Sequence, residues 1–183
     1  KFAELSNDLF FQSQAKAFAG RSSHMVGDSN LADNLFEQSR ADARQIGGAT
    51  EQRLTAFIDM HQGVVELDKR NYVASAEMFK RAAEYYTNVE LYFNTEDARR
   101  GLMLSYLGTG DLAELAVQIP TNIKLAEEFR SRSTTFEQRE SYLNSKRNVY
   151  DIASEFEYVS GNLAASYNYK ELASSRALLE RMR

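Results

Sequence analysis

Apolar residues recur along this chain at intervals of three and four, which is the spacing that places side chains on one face of an α-helix. Two such runs are Phe11, Ala15, Phe18 and Ala19, and Val73, Ala76, Phe79 and Ala83. Val and Ile together make up 13 residues, whereas Ala and Leu make up 40. Because strands favour β-branched residues and helices favour Ala and Leu, pattern and composition both predict an all-α chain.

Turn and capping residues divide this pattern into eight predicted helices. The boundaries are marked by Gly27-Asp28-Ser29 (a turn followed by an N-cap), Gly47-Gly48, the caps Thr50, Asn71 and Thr95, and the capping boxes Asp111/Glu114 and Thr134/Glu137. The predicted helices span about 2–26, 29–46, 50–69, 71–88, 95–107, 111–130, 134–160 and 162–182. Pro120 lacks a backbone donor, so we expect it to kink or break the sixth helix.

Short connections between consecutive helices favour antiparallel hairpins. The sequence therefore predicts a single domain over residues 1–183 with four hairpins, at about 2–46, 50–88, 95–130 and 134–182. The chain begins with Lys1 rather than Met, and we expect it to be a fragment of a longer protein.

A four-position pattern recurs along the chain. A small residue is followed twelve positions later by a second small residue, four further by an aromatic residue, and three further by a small or apolar residue. The matching sets are Gly20, Ala32, Phe36 and Ser39; Gly63, Ser75, Phe79 and Ala82; and Ala153, Ala165, Tyr169 and Leu172; Gly101 and Ala113 match the first half only. The small residues would allow two helices to approach closely, and the aromatic residue would fill the wedge between hairpins.

This pattern resembles the tetratricopeptide repeat (TPR), a helix–turn–helix unit of about 34 residues. Tyr72 and Gly108 stand where that family often has a Tyr and a turn Gly. The chain departs from the family in its longer repeats and in its lack of Trp. The resemblance implies a right-handed superhelical array of hairpins, and a plain helical bundle remains the alternative.

The C-terminal stretch from Tyr158 onward is similar to the segment that precedes the effector domain in multidomain bacterial TPR proteins. Those effectors include diguanylate cyclases and caspase-like CHAT peptidases. This resemblance implies that the chain is the sensory or scaffold part of a larger signalling protein.

Composition excludes several classes of function. The 183 residues include no Cys and two His, which rules out disulfides, thiolate metal sites and a cysteine nucleophile. A net charge of −4 gives no general attraction to nucleic acid. No apolar stretch is long enough to span a membrane, so we expect a soluble domain, periplasmic in the sensor interpretation or otherwise cytoplasmic.

No motif here predicts an enzyme. Residues 108–113 match the dinucleotide fingerprint G-x-G-x-x-A, but that fingerprint requires a preceding strand, and a turn between helices explains the same residues. His24 and His61 lack the spacing of a metal site and are interpreted as partly exposed residues on helices. Glu127 and Glu128 are interpreted as part of a solvated helix face. We therefore expect no catalytic residues, no metal and no cofactor.

The TPR resemblance implies a groove lined by the first helix of each hairpin, which binds a peptide or protein partner. In that register, groove-facing residues lie six and three before the small residue and one, four and five after it. The binding residues predicted in this way are Arg147, Tyr150, Tyr158, Tyr106, Ser105, Arg21 and His24. An Arg beside Tyr residues can bind a carboxylate and stack on an apolar side chain.

The leading hypothesis is thus a non-enzymatic scaffold that binds a peptide or protein segment in its groove. The alternative is a module that senses a small molecule and controls an effector domain outside this chain. A long open groove would favour the first, and an enclosed pocket of about 300–1,000 Å³ the second. The sequence predicts no nucleic-acid partner and leaves a homodimer open.

Overall fold

The computed structural model describes the backbone of residues 2–132 and 149–181, and the side chains of residues 8–128 and 149–174. These parts of the chain are helical and contain no strand, which confirms the predicted all-α class of consecutive helices packed as hairpins. The helices are α1 (Phe2–Met25), α2 (Ser29–Ile46), α3 (Gly48–Asp68), α4 (Tyr72–Asn88), α5 (Tyr92–Thr109), α6 (Leu112–Arg132), α7 (described over 149–159) and α8 (Leu163–Arg181).

The chain divides into two compact units. The first comprises residues 1–105, which include α1 to α4 and most of α5, and the second comprises residues 106–183. In the first unit, α1 packs on α2, α3 packs on α4, and α3 also contacts both α1 and α2. No helix in the described ranges is long and apolar enough to cross a membrane.

Two predicted helix starts agree with the structure. Asp28 is the N-cap of α2, and its side-chain Oδ1 accepts a hydrogen bond of 3.0 Å from the backbone N–H of Leu31. Asp111 precedes α6, and its Oδ1 accepts a bond of 3.2 Å from the N–H of Glu114. Both carboxylates satisfy an N–H group that the first helical turn leaves without a partner.

Two other predicted caps are wrong. Gly47 is the residue that precedes α3, so Thr50 lies inside the first turn of that helix. Helix α5 begins at Tyr92, which places Thr95 within it, and the Thr95 hydroxyl donates to the Leu91 carbonyl at 3.1 Å. A Thr hydroxyl can bond either way, so its type alone does not identify a helix start.

The segment that matches the dinucleotide fingerprint is the turn between α5 and α6. Gly110 has φ of 74°, a left-handed conformation that glycine adopts without strain. No strand precedes it in the described residues, which confirms the interpretation as a turn. Helix α6 continues through Pro120 without a break. The predicted capping box Thr134/Glu137 lies outside the described residues.

The aromatic residue of the repeat packs against its glycine in both hairpins of the first unit. A Cβ placed on Gly20 would lie 3.2 Å from the Phe36 ring, and one placed on Gly63 would lie 3.2 Å from the Phe79 ring. A Cβ on Gly101 would overlap the Phe79 ring outright. Phe79 is therefore held between α3 and α5, which confirms that these glycines are residues of close helix approach.

Buried serine hydroxyls join neighbouring helices. Ser13 and Ser39 donate to each other's backbone carbonyls at 3.0 and 2.7 Å and so fasten α1 to α2. Ser75 on α4 donates to the carbonyl of Gly63 at 2.9 Å and its Oγ lies 2.8 Å from Oγ of Ser105 on α5. Each hydroxyl donates a hydrogen bond to a backbone carbonyl, so its burial costs little free energy of folding.

A buried carboxylate on α3 anchors both flanking second helices. Asp59 is fully buried; its Oδ1 lies 2.6 Å from Arg40 Nη2 on α2, and its Oδ2 lies 2.8 Å from Arg81 Nε on α4. Arg40 also donates to Gln62 at 2.8 Å. The hydrogen bond that Arg81 donates to Asp59 and the negative charge of that carboxylate raise the pKa of the Arg81 guanidinium. Because two cations share this carboxylate, its desolvation is compensated.

The contact between Phe79 and Gly101 yields the first prediction. Gly101→Ala should lower the free energy of unfolding by about 1–3 kcal/mol, because the Phe79 ring is enclosed and has to move. Gly63→Ala should change it by less than about 1 kcal/mol, since a smaller displacement is offset by better helix propensity. Urea denaturation monitored by circular dichroism measures both. In a Phe79→Leu background the loss of unfolding free energy caused by Gly101→Ala should be smaller. Equal losses in both backgrounds would contradict the close packing of the Phe79 ring against Gly101.

The Asp59 contacts yield the second prediction. Asp59→Asn leaves the half-buried Arg40 without a counter-charge and should cost about 3 kcal/mol of unfolding free energy. The matched control is Asp33→Asn, because Asp33 pairs with Lys69 at 2.9 Å on the surface, and we expect a cost below about 1 kcal/mol. Similar costs for the two variants would show that Asp59 does not anchor α3.

Candidate binding cavity in the first unit

A cavity of about 340 Å³ lies within the first unit. Its walls come mainly from α3 and α5, with further residues from α1 and α4. The lining residues are Arg21 from α1; Phe57, Met60, His61, Val64 and Leu67 from α3; Phe79 and Tyr86 from α4; and Asn94, Asp97, Arg100, Gly101 and Leu104 from α5.

One part of this cavity is apolar. Met60, Val64 and Leu67 follow one another at helical spacing along α3, and Leu104 contributes from α5. These residues are partly exposed rather than buried in the core, so their side chains remain available to a ligand. Such a surface favours an apolar ligand group, because burial of each CH₂ contributes about 0.8 kcal/mol.

His61 lies beside this apolar part, between two phenylalanine rings. Its ring centroid is 4.5 Å from that of Phe18 and 4.5 Å from that of Phe57. Burial lowers the pKa of His61 to about 4, with a further contribution from the positive charge of Arg21. The imidazole is therefore neutral at pH 7. Its Nδ1 is buried and has no hydrogen-bond partner among the described residues.

Two arginines bring positive charge to the cavity. Arg100 donates from Nη2 to Asp97 Oδ1 at 3.2 Å, while its buried Nε has no partner in the described part of the chain. Arg21 makes no hydrogen bond or ion pair with any described residue. Nδ1 of His61 and Nε of Arg100 have almost no accessible surface, so neither atom is open to a molecule in the cavity.

The predicted residues of the first unit are arranged as follows. Arg21 lines the cavity. His24, one turn further along α1, has Nε2 4.0 Å from Oδ2 of Asp68 on α3 and a buried Nδ1 without a described partner. Ser105 is fully buried, and its hydroxyl donates to the Gly101 carbonyl at 2.9 Å, so it supports α5 from within.

The other predicted residues belong to the second unit. Tyr106 is half-buried, and burial, with the carboxylates of Glu114 and Asp111, raises the pKa of its phenol. Tyr150 is buried, and its hydroxyl donates to Glu127. Tyr158 has 65% of its surface exposed, and Arg147 lies outside the described residues. The roles of these residues in binding stay predictions.

Sequence reasoning overlooked the cavity residues of α3, although a signal for them existed. The groove spacing applied around Gly63 gives Phe57, Met60, Val64, Leu67 and Asp68, and the first four of them line the cavity. On α5 the lining residues Asn94, Asp97 and Leu104 each precede the position that this spacing gives around Gly101 by one residue. The contact of Gly101 with Phe79 turns α5 so that the expected positions, Ser105 among them, face inward.

Across the residues that the structure describes, no group of three His, Asp or Glu side chains is placed to hold a metal ion. The lining combines apolar side chains with the donors of Arg21, Arg100 and Asn94. These side chains can contact an apolar group and donate hydrogen bonds to acceptor atoms next to it.

The buried imidazole yields the third prediction. The unfolded chain binds a proton at His61 near its ordinary pKa of 6.5, whereas the folded chain does so only near 4. Stability is therefore unaffected by His61 above about pH 6.5 and falls by about 1–3 kcal/mol as the pH decreases to about 4. Urea denaturation at several pH values should show a steeper decline for the wild type than for His61→Gln. The control His24→Gln keeps His61, so its unfolding free energy should decline with decreasing pH as steeply as that of the wild type. An equal decline for all three proteins would contradict the burial of a neutral imidazole.

No protein-family model matches the chain, and no significant similarity to a curated protein or to a solved structure was found. The functional assignment therefore rests on the cavity, on the side chains that line it and on the helical repeat that places them.

Proposed function

We propose that this chain is a non-enzymatic, TPR-like helical-repeat scaffold that binds a peptide segment of a partner on the face of α3 and α5. The observation that supports the proposal most is the cavity, whose lining combines apolar side chains with Arg21 and Arg100. In the wider hypothesis of a signalling protein, this scaffold is the regulatory part of a longer chain.

Peptides match this combination of groups. One apolar side chain of a peptide would contact Met60, Val64 and Leu104, and a backbone carbonyl beside it would accept a hydrogen bond from the guanidinium of Arg21. Binding through one or two side-chain anchors and main-chain hydrogen bonds is a general mode of peptide recognition.

The repeat supports the TPR-like assignment. The bond from Ser75 Oγ to the Gly63 carbonyl, 2.9 Å, joins residues twelve positions apart. In the second unit, Ser154 Oγ and the Ser166 carbonyl, again twelve apart, are joined at 3.0 Å. A hydrogen bond between small residues twelve positions apart thus joins two consecutive helices in both units, with its donor on the second helix in the first unit and on the first helix in the second unit.

A sensor of a small molecule is the second candidate. The cavity volume of about 340 Å³ falls within the range of small-ligand sites, about 300–1,000 Å³. A ligand of this size would use the same apolar lining and the same arginine side chains. Peptide selection separates the two candidates.

The fourth prediction is that peptides selected on the chain bind through the cavity. A random peptide library would be panned on the immobilised protein and the recovered peptides measured by fluorescence anisotropy. Arg21→Ala should raise Kd about 3–10-fold, because it removes a charge-assisted hydrogen bond. Val64→Trp should raise Kd further, since the indole fills the apolar part.

Lys80→Ala is the matched control, because it removes an exposed cation of α4 that does not line the cavity. It should leave Kd unchanged, and circular dichroism should show that all variants keep the wild-type melting temperature. Peptides that bind Arg21→Ala and Val64→Trp as tightly as the wild type would contradict the proposal. A failure to recover any cavity-dependent peptide would favour the small-molecule sensor.

A further inference from the structure

Helix α1 has two contrasting faces. One face packs on α2 and α3. The other carries apolar and small side chains at alternating intervals of four and three residues, all of them exposed, and we call this set the α1 stripe: Phe11, Ala15, Phe18, Ser22 and Met25. The three large side chains keep 66%, 54% and 75% of their surface exposed, for Phe11, Phe18 and Met25. Extended apolar surfaces of this kind mark sites of interaction in globular proteins.

The α1 stripe carries no charged residue, although charged residues make up 26% of the chain. One Lys and one Arg lie between its ends, and neither belongs to it. Lys16 Nζ lies 2.6 Å from Asp42 Oδ2 on α2, and Arg21 lines the cavity. No stripe residue is among those that line the cavity. The stripe is therefore a separate surface, and it fits a partner surface that is apolar and uncharged.

The order of large and small residues makes the α1 stripe complementary to itself. Alternating intervals of four and three residues are the spacing of the contact line between two coiled helices. When two copies of α1 pack antiparallel along this line, Phe11 of each copy faces Ser22 of the other, and Phe18 faces Ala15. Each ring then meets a small residue, and a two-fold axis repeats both pairs. A self-complementary surface is what a symmetric dimer requires.

The positions beside the α1 stripe are compatible with the same arrangement. On one side Gln14 of each copy would lie next to Arg21 of the other, and on the opposite side Gln12 would lie next to Ala19. No like charges meet at these positions. A parallel arrangement would instead place each ring against its own counterpart and leave the small residues facing each other, so the antiparallel one fills space better.

We propose that the α1 stripe is the interface of a symmetric homodimer in which the two α1 helices pack antiparallel. At about 1.5 Å per residue, the contact line from Phe11 to Met25 is about 21 Å long. An interface formed by one helix face from each copy lies at the small end of specific interfaces, so the dimer forms reversibly at micromolar or higher concentration. Since the stripe lies outside the cavity, the inference goes beyond the proposed function and stands or falls separately from it.

The test is sedimentation equilibrium of the whole chain from low micromolar to millimolar concentration. Ala15→Lys should raise the dimer Kd about 10-fold or more, because it places an unpaired charge against the Phe18 ring of the other copy. The matched control is Ala41→Lys, the same exchange at an exposed position of α2, and it should leave the dimer Kd unchanged. Both positions are exposed in the single chain, so circular dichroism at low concentration should show the wild-type melting temperature for both variants.

An exchange of a large and a small residue tests the antiparallel pairing itself. Ser22→Phe sets two rings against each other and should raise the dimer Kd about 10-fold, because overpacking a contact is costly. Adding Phe11→Ser to it restores one ring and one small residue in each pair, and Kd should return to within about 3-fold of the wild type. The exchange avoids Phe18, whose ring also contacts Phe57.

Three results would overturn the inference. A monomer at every concentration would show that a different molecule or segment covers the α1 stripe. A dimer that Ala15→Lys weakens no more than Ala41→Lys does would place the interface on another surface. A double variant whose dimer is no tighter than that of Ser22→Phe alone would exclude the antiparallel pairing. None of these results bears on the cavity-dependent binding of peptides, which is measured separately.

Discussion

The arrangement of the first unit depends on the ring of Phe79, which is held between two glycines. Gly63 on the same hairpin and Gly101 on the next helix leave the space that the ring fills, and the ring also forms part of the cavity wall. The distance between α3 and α5 is thus set by one side chain. Because well-packed interiors adjust little to added volume, this contact also fixes the width available to a ligand.

Polar contacts between helices add to the packing of the Phe79 ring. The Asp59 carboxylate joins α3 to Arg40 and Arg81 on the helices to either side, and the Ser75 hydroxyl on α4 donates to the Gly63 carbonyl on α3. Apolar packing alone tolerates sliding of one helix along another, whereas these bonds exist at one register only. A rigid scaffold of this kind would lower the ordering cost of the proposed binding, since the site would be formed before the ligand arrives.

Most of the fold follows from short-range rules in the sequence, and the site does not. Periodicity and turn residues predicted the helices of the described residues to within a few positions, and the glycine–aromatic spacing predicted the contacts of Gly20, Gly63 and Gly101. The cavity could not be predicted in full, because it depends on how far α5 is turned about its axis. A displacement of one residue rotates a side chain by about 100°, enough to bury Ser105 and to present Leu104 instead. The Asp59 network likewise joins residues far apart in sequence.

One face of helix α3 contacts neighbouring helices, and another face lines the cavity. Asp59 and Gly63 carry the contacts that hold neighbouring helices, whereas Met60, Val64 and Leu67 line the cavity and remain partly exposed. Exchanges among apolar residues at these lining positions alter the shape of the cavity without removing an interhelical bond. Ligand preference in such a helix can therefore diverge between related chains at little cost in folding, while the residues on its other face stay under constraint.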